Sequence, residues 1–282
     1  PSQLRRSGVA TTNGAASSST PTGLRRCALS LLSVPDQYTG WIAPALLSGM
    51  TAIVSMYGQT RPVDLVVIGG GCYGCLHTRQ LRKAHLYGKI RADRILVVDR
   101  HADCRASVEF ADDPLVHIVQ ADWLTFLCDY LDHLPPDTDA QIVPACWAPH
   151  LFFDWLAASV RRALPDAVTS RQPCELRLGL PYEHTDQSGN RFLSEAGWRC
   201  PATCIEPAIC PAIKKPRDWD MAERIRRAAP TALGAHLTEV FLCRHFAYGV
   251  GAIPARDIVA ARGHILTAAR SGSPLRAVIG AS

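Results

Sequence analysis

Cysteine and glycine carry most of the chemical content of this sequence. Cys200-Pro201-Ala202-Thr203-Cys204-Ile205-Glu206-Pro207-Ala208-Ile209-Cys210-Pro211 packs three thiols into eleven residues, in the spacing C-x3-C-x5-C. Prolines interrupt the run, so it is not an ordinary helix. A stiff loop that gathers thiolates is what a zinc ion or an iron–sulfur cluster needs, because each takes about four soft ligands around a small volume. The spacing is neither the paired C-x2-C of zinc ribbons nor the ferredoxin run, although the closing Cys-Pro is shared with the latter. Cys200, Cys204 and Cys210 are therefore candidate metal ligands, with a fourth from Cys174, His184 or Cys243. The plainer reading is a proline-stiffened loop whose cysteines are reduced or paired.

A second group of residues points to an anion. Gly69-Gly70-Gly71-Cys72-Tyr73-Gly74 matches G-x-G-x-x-G. Before it, Val63-Asp64-Leu65-Val66-Val67-Ile68 is a β-branched run that reads as a buried strand. After it, Cys75 to Tyr87 has a helical pattern, and Arg94-Ile95-Leu96-Val97-Val98-Asp99 is a second strand ending in a carboxylate. In that order the parts have separate duties. Gly69 permits the tight turn, Gly71 lets backbone approach a pyrophosphate, Gly74 allows helix to pack on strand, and Asp99 receives a ribose hydroxyl. The helix N-terminus supplies oriented N–H groups. Asp99 falls 25 residues after Gly74, beyond the usual interval of about 20. Arg100 beside it would attract a 2′-phosphate, so NAD and NADP both stay open. Cys72 and Cys75 form a C-x2-C that reads either as a redox pair or as small residues tolerated at a turn.

With these residues in view, residues 62–143 resemble a Rossmann NAD(P)-binding domain. They have some similarity to the TrkA-N/RCK-type nucleotide-binding domains of potassium-transport regulators. The resemblance rests on Val66-Val67-Ile68-Gly69-Gly70-Gly71-Cys72-Tyr73-Gly74, on Val97-Val98-Asp99 and on Val119-Gln120-Ala121-Asp122. It implies a dinucleotide site with Gly69, Gly71, Gly74 and Asp99 as cofactor-binding positions, and it implies no particular reaction. The alternative ligand is S-adenosylmethionine, as in class I methyltransferases, with Asp122 as the acid after the third strand. Those enzymes usually carry an acid two residues before the first glycine, and here that position is Val67.

The elements that must position these residues alternate. Leu115 to Gln120 is a third strand, and Asp122 caps a helix whose Trp123, Leu124, Leu127, Tyr130, Leu131 and Leu134 recur at helical spacing. Ala140 to Val143 is a fourth strand and Leu151 to Leu164 a helix. Cys146, Trp147 and His150 follow the fourth strand, where substrates meet a nicotinamide in open α/β sheets. His150 is the candidate catalytic acid–base group, against a plain capping or surface role. Residues 171–217 have little periodicity and read as an excursion from the sheet. Asp220-Met221-Ala222-Glu223 has the capping-box pattern for a helix to about Ala229. Glu239 to Cys243 reads as a late strand, and Pro254 opens a final helix reaching Arg262. The predicted class is α/β, a Rossmann-like doubly wound, mostly parallel sheet with a Cys/Pro-rich irregular insertion. Its zones are 1–60 as tail and lead-in, 61–170 as the dinucleotide-binding domain, and 171–282 as the cysteine-rich excursion with the last strand and helix.

Composition narrows the function class. The 282 residues are 48% apolar and 20% charged, enough for a sizeable core. Residues 1 to about 35 are Ser-, Thr- and Arg-rich with no acid before Asp36, which reads as an unpacked tail or a transit peptide. A net charge of +5 without dense basic blocks argues against nucleic acid as a partner. Gln37 to Thr60 is uncharged, but Gly40, Pro44, Ser48 and Gly49 argue against a membrane span. Eleven cysteines, an odd number in a chain with its own core, fit a reducing cytoplasmic compartment better than a secreted scaffold. The expectation is an NAD(P)-binding redox protein, an oxidoreductase or a redox-sensing regulator, carrying an iron–sulfur cluster or zinc. A dinucleotide, an unknown small molecule and a second copy of the chain are its expected partners.

Overall fold

The computed structural model describes residues 26–33 (backbone only), 63–135, 137–145, 148, 150–200 and 204–282. The remainder of the 1–35 tail, the Gln37–Thr60 stretch, Cys146 and Trp147 lie outside the described residues. In chain order the elements are β1 (Arg26–Ser33), β2 (Val63–Ile68), α1 (Cys72–Leu86), β3 (Ala92–Asp99), α2 (Arg105–Glu109) and β4 (Val116–Gln120). Next come α3 (Trp123–Asp132), β5 (Gln141–Val143), α4 (Leu151–Ala163), β6 (Val168–Gln172), β7 (Tyr182–Thr185) and β8 (Arg191–Ser194). The chain continues with α5 (Met221–Leu233), β9 (Leu237–Phe241), β10 (Arg244–Ala247), β11 (Val250–Pro254), α6 (Ala255–Ala269) and β12 (Leu275–Ala281).

The class is α/β with mostly parallel strands, but there are two sheets. The first has the order β10-β11-β5-β2-β3-β4, with β5, β2, β3 and β4 mutually parallel and the β10–β11 hairpin antiparallel at the β5 side. The second has the order β7-β8-β1-β12-β9, and β6 also pairs with β1. Strand alternation decides how the sheets stack. Val66, Ile68, Leu96 and Val98 face a central layer made by α3, α4 and α6, and Ala277 and Ile279 of β12 face that layer from the second sheet. The intervening residues Leu65, Val67, Ile95 and Val97 turn the other way, onto Cys75, Leu81 and Ala84 of α1. Val278 and Val240 turn outward onto Ala222, Ile225 and Ala229 of α5. Helices thus cover both faces of both sheets, which lets nearly all-apolar strands persist.

Two expectations need correction. The tail reading fails for Arg26–Ser33, which is a strand paired with β12 along Cys27–Ser33 and with β6 along Arg26–Ser30. The Ser- and Arg-rich neighbours hide its Ala28-Leu29-Ser30-Leu31-Leu32 centre when composition is averaged. The 171–217 stretch is not wholly outside a sheet either, because it contains the end of β6 and the antiparallel β7–β8 pair. Short-range polar bonds organise it instead of periodicity. Glu183 accepts N–H bonds from Leu178 (2.7 Å) and Leu180 (3.0 Å) and pairs with Arg191, whose Nε donates to the Leu176 carbonyl (2.8 Å). Burial works to raise the Glu183 pKa, but these N–H donors and the guanidinium outweigh it and hold the carboxyl below its usual range.

Helix ends also differ from expectation for physical reasons. α6 runs past Gly263 to Ala269, since burial of Ile265 and Ala269 outweighs the ~1 kcal/mol cost of a helical glycine. α5 includes Pro230 and ends only at Gly234, whose left-handed φ of 61° lets its N–H bond the Ala229 carbonyl.

Deleting residues 1–33 removes a strand bonded on both edges, a loss of several kcal/mol, so the melting temperature should fall by about 10 °C or more. Scanning calorimetry checks this, and an unchanged transition would show that β1 adds nothing. The Glu183 contribution to stability is complete above the ordinary glutamate pKa of about 4.3 and fades as pH falls through the lower folded value. Glu183→Gln should accordingly be less stable than wild type at pH 7, with the gap closing in acid; urea unfolding at both pH values measures it.

Candidate functional site

The glycine turn lies at the carboxyl end of β2. Gly69 has φ +93°, and its N–H bonds the Val98 carbonyl of β3 at 2.8 Å. Such a φ favours glycine. The Gly70 N–H donates to Asp99 Oδ2 (2.7 Å), while Asp99 Oδ1 accepts from the His101 N–H (2.9 Å). Asp99 therefore ties the turn to the next connection with one oxygen on each. Gly70 is also capped by α2: the Ala106 N–H bonds its carbonyl at 2.9 Å, and a Cβ on Gly70 would lie 2.4 Å from the Cys104 sulfur. At Gly74 a Cβ would lie 1.8 Å from the Gly69 carbonyl oxygen, so α1 packs on the turn only without a side chain there. Gly71 differs from its neighbours. It caps α1 with φ −79°, and a Cβ there would meet nothing within 4 Å.

Around the turn, Trp123 donates its indole N–H to the Val98 carbonyl at 3.1 Å, and the Arg100 guanidinium lies 5.8 Å from the centre of that ring. Asp122 is engaged by its own helix, with Oδ1 accepting from the N–H groups of Leu124 (3.0 Å) and Thr125 (3.1 Å). Cys72 is exposed and its sulfur is 3.5 Å from Arg105 Nη1. Cys75 is buried against the Gly70 carbonyl. Burial, and then the nearby Glu109 carboxylate, push the Cys75 thiol up to about 11. No disulfide joins these two cysteines. Cys104 and Arg105, which close over the turn, carry no sequence signature; only the long β3–α2 connection hints at them.

His150 caps α4 beyond the carboxyl end of β5, the strand beside β2, and its Nε2 is 4.0 Å from Asp154 one turn further on. It is about two-fifths exposed. A cavity of about 610 Å³ is lined by Val63, Asp93, Arg94 and Ala140 at the opposite strand ends, away from the turn.

The cysteine-rich stretch borders a second cavity, about 270 Å³, together with Cys243. Of the two remaining candidates for a fourth ligand, Cys174 is buried in the α5 core, where burial pushes its thiol up to about 11. His184 stacks on Phe192 within the β7–β8 pair. Among the described residues, no three His, Cys, Asp or Glu side chains stand close enough to hold a single metal ion. Among the described residues, too, no helix is long and apolar enough to cross a membrane.

A family model described as "Uncharacterized protein, C-terminal domain" matches residues 152–281, from α4 to β12. That stretch of the chain is similar to this family. It contains all the cysteines of the 270 Å³ cavity and stops short of the glycine turn. No curated protein and no solved structure matches the chain.

Alkylation tests the two environments of the C-x2-C pair, since the thiolate is the reactive form. At pH 8, iodoacetamide should modify Cys72 and spare Cys75 in the folded protein, read by peptide mass spectrometry. Equal labelling of both would refute the buried, proton-holding Cys75.

Proposed function

We propose that the chain binds a dinucleotide, NAD or NADP, at the Gly69–Gly74 turn and acts as a redox protein, either an oxidoreductase or a redox-sensing regulator. The observation that carries this reading is the open backbone at Gly71. Its neighbours Gly70 and Gly74 are glycines because protein atoms crowd them, whereas Gly71 faces free space at the N-terminus of a 15-residue helix. That is where a pyrophosphate would take N–H bonds and the favourable end of the helix dipole.

Topology supports the same place. In the order β4-β3-β2-β5 the connections run one way from β2 through β3 to β4, and β5 then lies on the other side of β2. Ligands in open α/β sheets bind outside the carboxyl ends of strands at such a reversal. This is the strand order of a Rossmann-like half, and we read the first sheet as one. Asp99 uses one lone pair on each oxygen for backbone N–H groups, which leaves capacity for a ribose diol, as a carboxylate offers about four acceptor sites. Arg100, stacked near Trp123, is the residue that would receive a 2′-phosphate. His150, at the end of the neighbouring strand, is the proposed acid–base group. The bound nicotinamide would supply the hydride chemistry. S-adenosylmethionine fits less well, because the acid that class I methyltransferases usually carry two residues before the first glycine is Val67 here; Asp122 caps α3 through Oδ1 alone.

A Cβ at Gly71 meets nothing within 4 Å and the backbone there is in an ordinary region, so Gly71→Val should fold normally. It should lose NAD(P) binding by more than about tenfold, because the pyrophosphate can no longer approach. Calorimetric titration of both proteins decides it. Equal affinity in wild type and variant would end the dinucleotide reading, and heat from S-adenosylmethionine alone would replace it with a methyltransferase.

A further inference from the structure

We infer that the 270 Å³ cavity at the carboxyl edge of the second sheet binds a small organic monocarboxylate with a flat apolar body, its carboxylate held by Arg244 and by the indole N–H of Trp198. The proposal is independent of the nucleotide site. It starts from where the cavity lies. β8, β1, β12 and β9 run parallel in that order. Ser194 closes β8, Cys243 follows the end of β9 by two residues and Ser282 follows β12, and all three line the cavity. Asp220 and Met221, which open α5, line it as well. The space therefore sits beyond the carboxyl ends of parallel strands with a helix starting beside it, the position at which open α/β sheets take their ligands.

The charges around the cavity select an anion. Its carboxylates are already engaged: Glu195 with Arg224, Glu206 with Arg217 at 3.5 Å, and Asp220 with the Glu223 N–H at 2.9 Å as the cap of α5. Arg244 is different. It is exposed, lines the cavity and makes no ion pair among the described residues. Its backbone is fixed in β10, opposite Ala252 of β11, so the guanidinium is tethered to a sheet and not to the irregular loop. Trp198 supplies a second donor: its indole nitrogen is buried and has no partner among the described residues. A buried N–H without an acceptor is costly. One carboxylate, with about four acceptor sites on two oxygens, answers both groups.

Size and lining set the rest of the ligand. Trp219 stands edge-on to Trp198 with ring centres 6.1 Å apart, and Met221 and Pro207 extend this apolar side. The volume is just under the ~300 Å³ at which pockets for drug-sized ligands begin. At about 30 Å³ for each water-sized volume it suits a body of roughly ten non-hydrogen atoms. Phosphate would bring a second negative charge toward the cavity's own carboxylates and no apolar surface to the indoles. A quaternary ammonium would suit the rings but would meet Arg244 and leave the Trp198 N–H unmatched.

Benzoate and phenylacetate are the probes, titrated into the full chain and followed by calorimetry and by the proton–nitrogen correlation spectrum of the indoles. Wild type should bind both in the millimolar range or tighter. The Trp198 indole signal, assigned by its absence in Trp198→Phe, should shift on binding, a readout that needs no variant to bind. Arg244→Gln and Trp198→Phe should each weaken benzoate by about tenfold or more, as expected for losing one hydrogen bond to a charged group. Arg256→Gln, at an exposed arginine of α6 paired with Asp139, should leave it unchanged. No heat and no Trp198 shift with either carboxylate, benzamide binding as tightly as benzoate, preference for phosphate or benzyltrimethylammonium, or full affinity in Arg244→Gln would each overturn the assignment.

Discussion

The layer of α3, α4 and α6 is buried from two sides. A helix on an ordinary sheet needs one apolar stripe, but α4 hides Leu151, Phe152, Phe153, Trp155, Leu156, Ala157 and Val160, which leaves little of its circumference for solvent. Phe152 packs at 5.1 Å on Phe241 of the second sheet, while the same core contains Val66, Ile68 and Ile142 of the first. Neither sheet can bury its inner face without these helices. The charged groups at the layer's rim are arranged accordingly: Asp132 at the end of α3 pairs with Arg162 of α4 (2.6 Å) and with Arg262 of α6, and Arg262 also lies over the Trp155 ring. An acid shared by two guanidiniums thus links the three helices at the edge of the layer.

From that shared layer follows the placement of both candidate sites. A chain that serves two sheets must pass between them, and beyond β2 it does so after β5 through α4, after β9 through Leu242-Cys243, and after β11 through α6. The first passage carries His150 past the end of the strand that neighbours the glycine turn. The second brings Cys243 against the loop that holds the other three thiols. Strand ends and sheet crossings are where side chains are free of packing duty, so chemistry collects there without cost to the core.

Polar groups show the same division of labour. Asp99 and Asp122 are both acids at strand ends, one residue type with two outcomes. Asp99 spans two connections and keeps acceptor capacity. Asp122 turns back on its own helix and caps it through Oδ1. Glu183, in the irregular stretch, replaces a sheet ladder by gathering two backbone N–H groups and an arginine. Among the described residues, each buried or half-buried carboxylate has a partner, as an unpaired one would be costly.

The sequence by itself determined the four parallel strands of the first sheet and their turn, though not the β10–β11 hairpin at its edge. Val63–Ile68, Gly69–Gly74 and Asp99 lie within a span of a few tens of residues, and their conformations follow from local rules: β-branched runs, a glycine that needs positive φ, an aspartate that caps. The Cys200–Cys210 run was legible as a cluster of thiols for the same reason. Of the second sheet only β9 was legible, because β1 pairs with β6 and β12, from distant parts of the chain, and the other strands are short or bordered by polar residues that blunt any period. Nothing local says that Cys243 rather than Cys174 borders the same cavity as the other three cysteines. That choice depends on which way each strand faces: Cys174 is turned into the α5 core and Cys243 falls on the link between sheets. Only the tertiary structure, through packing between residues distant in sequence, decided it.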